Sequence, residues 1–390
     1  MSGFVRRSAL SILSMASRLL PPHLAAWSRA IESEAAHIPS DGDALRFAAG
    51  CLRAALAIAL AARLRAACDL LFPSSPRFRS LVMNGMFARP RLLGLLCGAA
   101  AVGLGLAYMS VAGAPSRYLL MNVGALVIGA TAWLALGGVA RSRLPWAGVA
   151  VLALAAPLLF TALGGAAFDG AARWISVGPF NLQVSLVALP VMLVLYARRP
   201  DAIGTAGMVV AAVALAIQPD RAMAGVLIAG LIGPVLAARS RLAMLATAAA
   251  VPAFGWTLLM PDTLPAVPYV DRILYTAFDV HPLAGVAVLS GAAALAAPAL
   301  PGLFGAGRDR AALLAFAGCW VGVVAAAAMG NYPTPLVGYG GSAVLGYLLS
   351  VAVLPSGARA THGAGQLEAS PVGRNGLDRS TSELQVAGAA

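Results

Sequence analysis

Residues 331–349 read NYPTPLVGYGGSAVLGYLL and interrupt a chain that is strongly apolar on both sides. Two prolines and three glycines fall between Pro333 and Gly341. Proline removes a backbone donor and glycine readily adopts positive φ, so this stretch cannot simply continue a helix. Within a bilayer, irregular backbone is tolerated only where protein or a water-filled cavity covers it. The stretch is therefore either an ordinary loop outside the membrane or part of a site.

Composition indicates the broad class of protein. Of the 390 residues, 60% are hydrophobic and 11% are charged, and the mean hydropathy is +0.84. Soluble domains carry about 25% charged residues, so we predict a polytopic membrane protein. The net charge is +12, and all 27 basic residues are arginines. They cluster between apolar runs without a basic stripe interleaved with aromatics, which argues against nucleic-acid binding.

From residue 91 the apolar runs recur at regular intervals and approach the length that a helix needs to cross a bilayer. Eight arginines fall in every second connection between these runs and four in the other connections. The positive-inside rule then places both ends of the chain in the cytoplasm. We predict ten transmembrane helices, at residues 92–112, 118–138, 145–164, 182–197, 202–217, 222–238, 242–260, 283–304, 311–329 and 338–354.

The two ends of the chain differ from its middle part. A short helix is expected at 23–36 and a second helix near 44–71, capped by Asp43. The second helix carries four arginines and only a short apolar run. An interfacial amphipathic helix is therefore favoured over a poor transmembrane span. We expect three parts: an N-terminal cytoplasmic or interfacial helical region at 1–90, a transmembrane domain at 91–355, and a disordered cytoplasmic tail at 356–390.

Four connections on the predicted outer side carry polar residues. Residues 164–185, GGAAFDGAARWISVGPFNLQVS, include Asp169, Arg173 and Trp174. Residues 216–223, AIQPDRAM, contain a tight turn in which Asp220 could cap the next helix. The longest connection, MPDTLPAVPYVDRILYTAFDVHP at 260–282, contains a candidate amphipathic surface helix over 269–278. The fourth connection is the stretch that begins at residue 331.

In this order, the connections resemble the SEDS family (shape, elongation, division and sporulation), the FtsW/RodA/SpoVE type of membrane protein. A GARRWI.LGPF..QPSE-like segment stands here as GAARWISVGPFNLQVSL, and a TG.PLPF.SYGGSS-like stretch as NYPTPLVGYGGSA. Between them lies the QPD turn at residues 218–220. The resemblance covers roughly 91–355 and implies an all-α bundle of about ten transmembrane helices. Residues 1–90 have no counterpart in a typical member.

The resemblance implies a multi-pass protein of the bacterial inner membrane that acts in peptidoglycan synthesis, cell division and cell shape. Such a protein polymerises glycan from lipid II, a polyprenyl pyrophosphate substrate, with a class B penicillin-binding protein or other divisome or elongasome partners. The chemistry needs positive charge or amide donors for the pyrophosphate and a carboxylate to accept a proton from a sugar hydroxyl. A divalent cation could accompany the pyrophosphate. The four cysteines lack metal-binding spacing. His281 reads as a helix-start residue, and nothing near it suggests a metal site.

Candidate substrate-binding residues come from the matching segments and from Arg221, which with Ala222 replaces the family's Gly-Thr pair. In the simpler interpretation Arg173 pairs with Asp169, and the glycines serve only to bring helices together. The backbone amides of residues 338–342 could alternatively form an anion-binding concavity. The candidates are Arg173, Trp174, Gln218, Asp220, Arg221, Gly338, Tyr339, Gly340, Gly341 and Ser342.

Departures from the family pattern leave the catalytic base open. The loop at 260–282 lacks the family's catalytic aspartate motif, and the QPSE box reads QVSL, without its proline and acidic residue. Asp271, next to Arg272 on the predicted surface helix, and Asp279 are the candidate bases; Asp262 lies in the same interval. In the simpler interpretation Asp271 and Arg272 only face water. The alternative hypothesis is a catalytically silent SEDS relative that binds lipid-linked precursor or division partners as a scaffold or regulator. A transporter is disfavoured because no inverted repeat or mid-span ionisable residue is evident.

Overall fold

A computed structural model describes residues 2–20, 24–71, 89–137, 144–164, 166–168, 171–177, 180–261, 265–303 and 307–356. The chain is an all-α polytopic membrane protein, with one small antiparallel sheet beside the helices. The predicted disordered tail, apart from residue 356, and the residues Asp169 and Asp262 lie outside the described residues.

Within the described residues, ten apolar helices lie at the ten predicted spans. They are α4 (Pro90–Val111), α5 (Ser116–Ala135), α6 (Ala147–Gly164), α7 (Val184–Arg198), α8 (Ala202–Ile217), α9 (Arg221–Ala238), α10 (Arg241–Leu259), α12 (Pro282–Ala294), α13 (Gly307–Met329) and α14 (Gly341–Ala352). By length and composition, six of them could cross a membrane unaided: α4, α5, α6, α9, α10 and α13. The other four are apolar but shorter.

Three helices precede this bundle: α1 (Ser2–Leu19), α2 (Ala25–His37) and α3 (Asp41–Leu71). They share a separate apolar cluster to which each contributes, for example Leu13, Ile31 and Ala48. The sequence predicted α2 and α3 but not α1. The predicted cap of α3 was wrong, because the helix begins at Asp41 and Asp43 already lies in its first turn.

The segment between α6 and α7 contains three short antiparallel strands, which were not predicted from the sequence. They are β1 (Ala166–Phe168), β2 (Ala171–Val177) and β3 (Phe180–Gln183), in the order β1-β2-β3. Trp174 and Gln183 are Cα partners across β2 and β3. Because β3 runs directly into α7, the sheet fixes the position of Gln183 at the end of the bundle.

Two predicted helices differ from their expected bounds. The predicted span at 283–304 is α12 followed by a 3-10 helix, Ala297–Leu303, whose Pro298 and Pro301 lack backbone donors. The predicted surface helix over 269–278 is α11 (Ile273–Val280). It starts later because Tyr269 and Arg272 adopt left-handed backbone conformations, with φ of 63° and 59°. His281 caps α12 by accepting a hydrogen bond from the Leu283 amide, which confirms its predicted place at a helix start.

The helices differ strongly in how much of their surface the bundle covers. Twelve of the 15 residues of α7 are buried, so α7 is a central helix. On α5, in contrast, Asn122, Ala125 and Gly129 are the buried residues, so α5 is peripheral. Gly346 brings α14 close to α7, since a side chain there would collide with the Leu186 carbonyl oxygen.

Candidate functional site

Asp220 precedes α9 and closes the tight turn after α8. Its Oδ1 accepts a hydrogen bond from the Met223 amide at 3.2 Å, which confirms the predicted helix cap. Its Oδ2 accepts from the Ser185 hydroxyl at 3.0 Å and from the Gln183 side-chain amide at 3.4 Å. The side chain is fully buried. The three hydrogen bonds compensate for the water that the carboxylate has lost.

The same cluster extends to α14 through Ser342. The Gln183 backbone amide donates to the Ser342 hydroxyl at 3.0 Å, across 159 positions of sequence. We call Gln183, Ser185, Asp220 and Ser342, all of which are buried, the polar junction. It joins the segment containing RWISVGPF, the QPD turn and the GYGGS stretch. The structure therefore brings together the three segments that carry the resemblance.

Arg173 and Gln218 make further hydrogen bonds around the QPD turn. The Arg173 Nη2 donates to the Pro219 carbonyl at 2.7 Å, and the arginine is 5% exposed. The Gln218 Nε2 donates to the Leu158 carbonyl, at 2.8 Å. Both side chains thus connect the turn to neighbouring elements. Trp174, on β2, is half-buried.

Arg221, the first residue of α9, reaches the end of α10. Its Nη2 donates to the Met260 carbonyl at 3.0 Å and to the Thr257 carbonyl at 3.4 Å. Cationic donors are favourable at a helix C-terminus, where carbonyl oxygens lack intrahelical partners. Arg221 and Arg173, the two arginines predicted to bind pyrophosphate, therefore both donate hydrogen bonds to main-chain carbonyls.

Asn122 on α5 holds the irregular segment before α14. Its side-chain Nδ2 donates to the Gly338 carbonyl at 2.8 Å, and its Oδ1 accepts from the Gly340 amide at 3.1 Å. The ring of Tyr339, which lies between these glycines, stacks on Tyr118 with centroids 4.0 Å apart. Sequence reasoning missed Asn122. The available signal was a lone amide inside an apolar run, where polar groups are expensive.

The loop before α11 pairs with the same irregular segment. The Thr334 amide donates to the Val270 carbonyl at 2.8 Å, and the Tyr339 amide donates to the Tyr269 carbonyl at 2.7 Å. Tyr269 and Arg272 of the loop and Leu336 of the irregular segment all have positive φ, near 60°. Such conformations in non-glycine residues are unfavourable and cluster at functional sites.

Asp271, a candidate base, lies in the middle of this pairing. It forms an isolated bridge to Pro333 and is 8% exposed. Its Oδ2 accepts a hydrogen bond from the Val267 amide at 2.8 Å. Burial raises the pKa of the Asp271 carboxyl, and the hydrogen bond from Val267 offsets part of that effect. Asp279, the second candidate, lies on the exposed face of α11.

A cavity of about 310 Å³ opens next to this loop. Its lining residues are Arg272, Tyr275, Ala328, Met329, Gly330 and Asn331. Arg272 contributes positive charge and immediately follows Asp271 in the chain. Arg272 is therefore both a wall residue of the cavity and the chain neighbour of the buried Asp271, which is not itself a lining residue.

In the part of the chain that the structure covers, no three His, Cys, Asp or Glu side chains form a group that could hold a metal ion. Asp271 and Asp279, the candidate bases, belong to no such group.

Comparison with known proteins gives a match in structure alone. No family model and no curated protein matches the sequence. The rod shape determining protein RodA of Thermus thermophilus matches with 23% identity and a TM-score of 0.50, over 67% of this chain and 94% of RodA. An aspartate-to-alanine mutant of the same protein matches with 22% identity and a TM-score of 0.49, over 67% and 95% of the two chains. The chain therefore has the RodA fold, and the predicted SEDS-like resemblance is confirmed at the level of the fold.

Proposed function

We propose that this protein is a SEDS-type membrane protein of peptidoglycan synthesis that polymerises a lipid-linked saccharide of the lipid II class. The observation that carries the proposal is the convergence of the three resembling segments at the polar junction. One of these segments, which contains Tyr339, also pairs with the loop that carries Asp271. RodA is a rod shape determining protein, and we extend that type of role to this chain as part of the proposal.

The proposed base is Asp271. Its raised pKa makes the carboxylate a stronger base than an exposed aspartate, as general base catalysis requires. An acceptor sugar hydroxyl attacks the anomeric carbon, a new C–O bond forms, and the bond to the lipid pyrophosphate breaks. The hydroxyl proton passes to Asp271. Arg272, on the adjacent cavity wall, supplies positive charge for the departing pyrophosphate.

The proposal includes a location and partners. We propose the bacterial inner membrane, with both termini in the cytoplasm, on the basis of the alternating arginine content of the connections. A class B penicillin-binding protein or another divisome or elongasome protein is the proposed partner. Division and elongation remain alternative settings for this activity.

A second function, a catalytically silent scaffold or regulator, is favoured by a different observation. Asp220 is fully buried with three hydrogen bonds. The amides of Tyr339 and Gly340 already donate to Tyr269 and Asn122. These residues therefore hold the fold together, which a protein without catalysis would also need.

The test is glycan polymerisation by the purified full-length protein in nanodiscs, supplied with lipid II and a divalent cation, alone and with candidate penicillin-binding partners. Asp271→Asn keeps a side-chain oxygen that can accept from the Val267 amide but cannot act as the base. Asp279→Asn is the matched control, since Asp279 is exposed on the helix that follows.

We expect Asp271→Asn to reduce polymerisation by at least about 100-fold, the scale of a lost general base. Asp279→Asn should retain wild-type activity. Full activity in the Asp271→Asn protein would eliminate Asp271 as the base. Lipid II binding without polymer formation by the wild type, under every condition, would favour the silent scaffold.

A further inference from the structure

Asn122 makes an unusual pair of contacts for a residue inside an apolar helix. It is completely buried, although α5 is a peripheral helix. One carboxamide group donates to the Gly338 carbonyl and accepts from the Gly340 amide. These contacts join residues 216 and 218 positions apart in the sequence.

The chemistry of the segment explains why an amide side chain is needed there. Gly338 and Gly340 precede α14, so the Gly338 carbonyl and the Gly340 amide lack helical partners. At membrane depth, a main-chain group without a hydrogen-bond partner destabilises the fold by roughly several kcal/mol, because no water is present to take the partner's place. The carboxamide of Asn carries both a neutral donor and an acceptor in one planar side-chain group. Asn122 therefore replaces two missing main-chain partners at once.

The position of this segment is transmitted to the Asp271 loop. Tyr339, which lies between the two glycines, donates its amide to the Tyr269 carbonyl. Five residues earlier, Thr334 donates to the Val270 carbonyl. Both acceptors lie immediately before Asp271 in the loop. A shift of the segment away from α5 would therefore move or release the main chain that holds Asp271.

The geometry points to Asn122 as a positioning residue for Asp271, acting through the segment at 338–340 and its pairing with residues 269–270. This inference rests on the proposed function for its catalytic consequence. Its structural part stands on the hydrogen bonds alone and can be tested without any activity.

The experiment uses Asn122→Leu, which keeps the approximate volume and removes both hydrogen bonds. Ser350→Ala is the matched control, because Ser350 is also fully buried and its loss removes side-chain hydrogen bonds to Trp320 and Tyr347, within the bundle. Hydrogen exchange of the full-length proteins in nanodiscs is measured at the peptides covering 331–340 and 265–272. In the second peptide the Val267 amide reports directly on Asp271, to which it donates.

We expect Asn122→Leu to accelerate exchange in both peptides by about tenfold or more, and Ser350→Ala to leave both within about twofold of wild type. If the wild type polymerises lipid II, kcat should fall with little change in KM. Unchanged exchange in either peptide would overturn the inference. If the wild type shows no polymerisation, the exchange result still decides the role of Asn122, while the proposed function fails separately.

Discussion

At the scale of single residues, several arginine side chains donate hydrogen bonds to main-chain carbonyls at the ends of helices. Arg91 donates to the Trp133 and Gly137 carbonyls, and Arg198 donates to the Val353 carbonyl. Arg6 and Arg221 each contact two main-chain carbonyls in the same way. A guanidinium can serve two carbonyls from fixed positions, whereas a lysine ammonium is a flexible point charge. This use gives a physical reason for arginine rather than lysine at these four positions.

Arg91→Lys is therefore expected to destabilise the fold. The guanidinium also lies 5.0 Å from the centre of the Trp133 ring. We expect a loss of ~1–2 kcal/mol, the scale of one or two net hydrogen bonds and a cation–π contact. Equilibrium unfolding in detergent micelles measures it. Arg241→Lys, at an exposed arginine, is the control and should be neutral; equal effects of the two substitutions would contradict the prediction.

Asp271 should make stability depend on pH. Its carboxyl pKa is raised in the folded state, so the folded protein holds this proton more tightly than the unfolded chain. The associated stability is fully present below about pH 3.9, the usual pKa of an unfolded aspartate, and is lost as the pH rises through the folded pKa. Thermal unfolding of wild type and Asp271→Asn across this range tests the idea. Parallel curves for the two proteins would refute it.

At the scale of elements, the apolar helices were the predictable part. Most predicted bounds from α4 to α14 lie within about three residues of the observed ones, because an apolar run of fixed length is a strong local signal. The strands β1 to β3 left no comparable signal, since they are short and their pairing depends on neighbouring segments. Residues at the ends of helices, such as Asp220, could be predicted from local capping rules.

The site was less predictable because its contacts join distant segments. The resemblance selected Asp220 and Ser342 but did not reveal that Gln183 lies between them. Asn122 carried no motif at all. Local patterns cannot show which of several buried polar side chains meet, since that depends on how the helices pack. The role of Asp271 in catalysis stays a prediction.

Because α14 and α7 are in close contact, one methyl group added between them should destabilise the fold strongly. Gly346→Ala would place its Cβ against the Leu186 carbonyl oxygen, a backbone atom that cannot move aside easily. We expect destabilisation of ~1–3 kcal/mol, as for other overpacked positions. Gly103→Ala on α4 is the control, because nothing lies within 4 Å of its added methyl group. Unfolding measurements that show Gly346→Ala to be no worse than this control would contradict the packing argument.

At the scale of the whole molecule, the described residues contain two separate apolar clusters. One is built from α1, α2 and α3, and the other from α4 and the helices that follow it. The two clusters have no residue in common. Cooperative stability depends on shared burial, so the bundle should not need the N-terminal cluster to fold.

Removal of residues 1–71 should therefore lower the melting temperature of the remaining protein by no more than about 3 °C, the shift that ~1 kcal/mol produces in a domain of about this size. The measurement is thermal unfolding of the purified full-length and shortened proteins in the same detergent. Loss of the folded bundle on shortening would show that the N-terminal helices stabilise it. In that case the predicted boundary near residue 90 would not separate independent parts.

The long-range contacts of Asn122 and Gln183 also set an order of events during biosynthesis. Both residues emerge from the ribosome long before Gly338 and Ser342, their partners near the C-terminus. The carboxamide of Asn122 therefore lacks both of its final partners until some two hundred more residues are translated. The bundle can close around this group only when its last helix arrives. A nascent chain that ends before that point would lack Gly338, Gly340 and Ser342, the partners of Asn122 and Gln183.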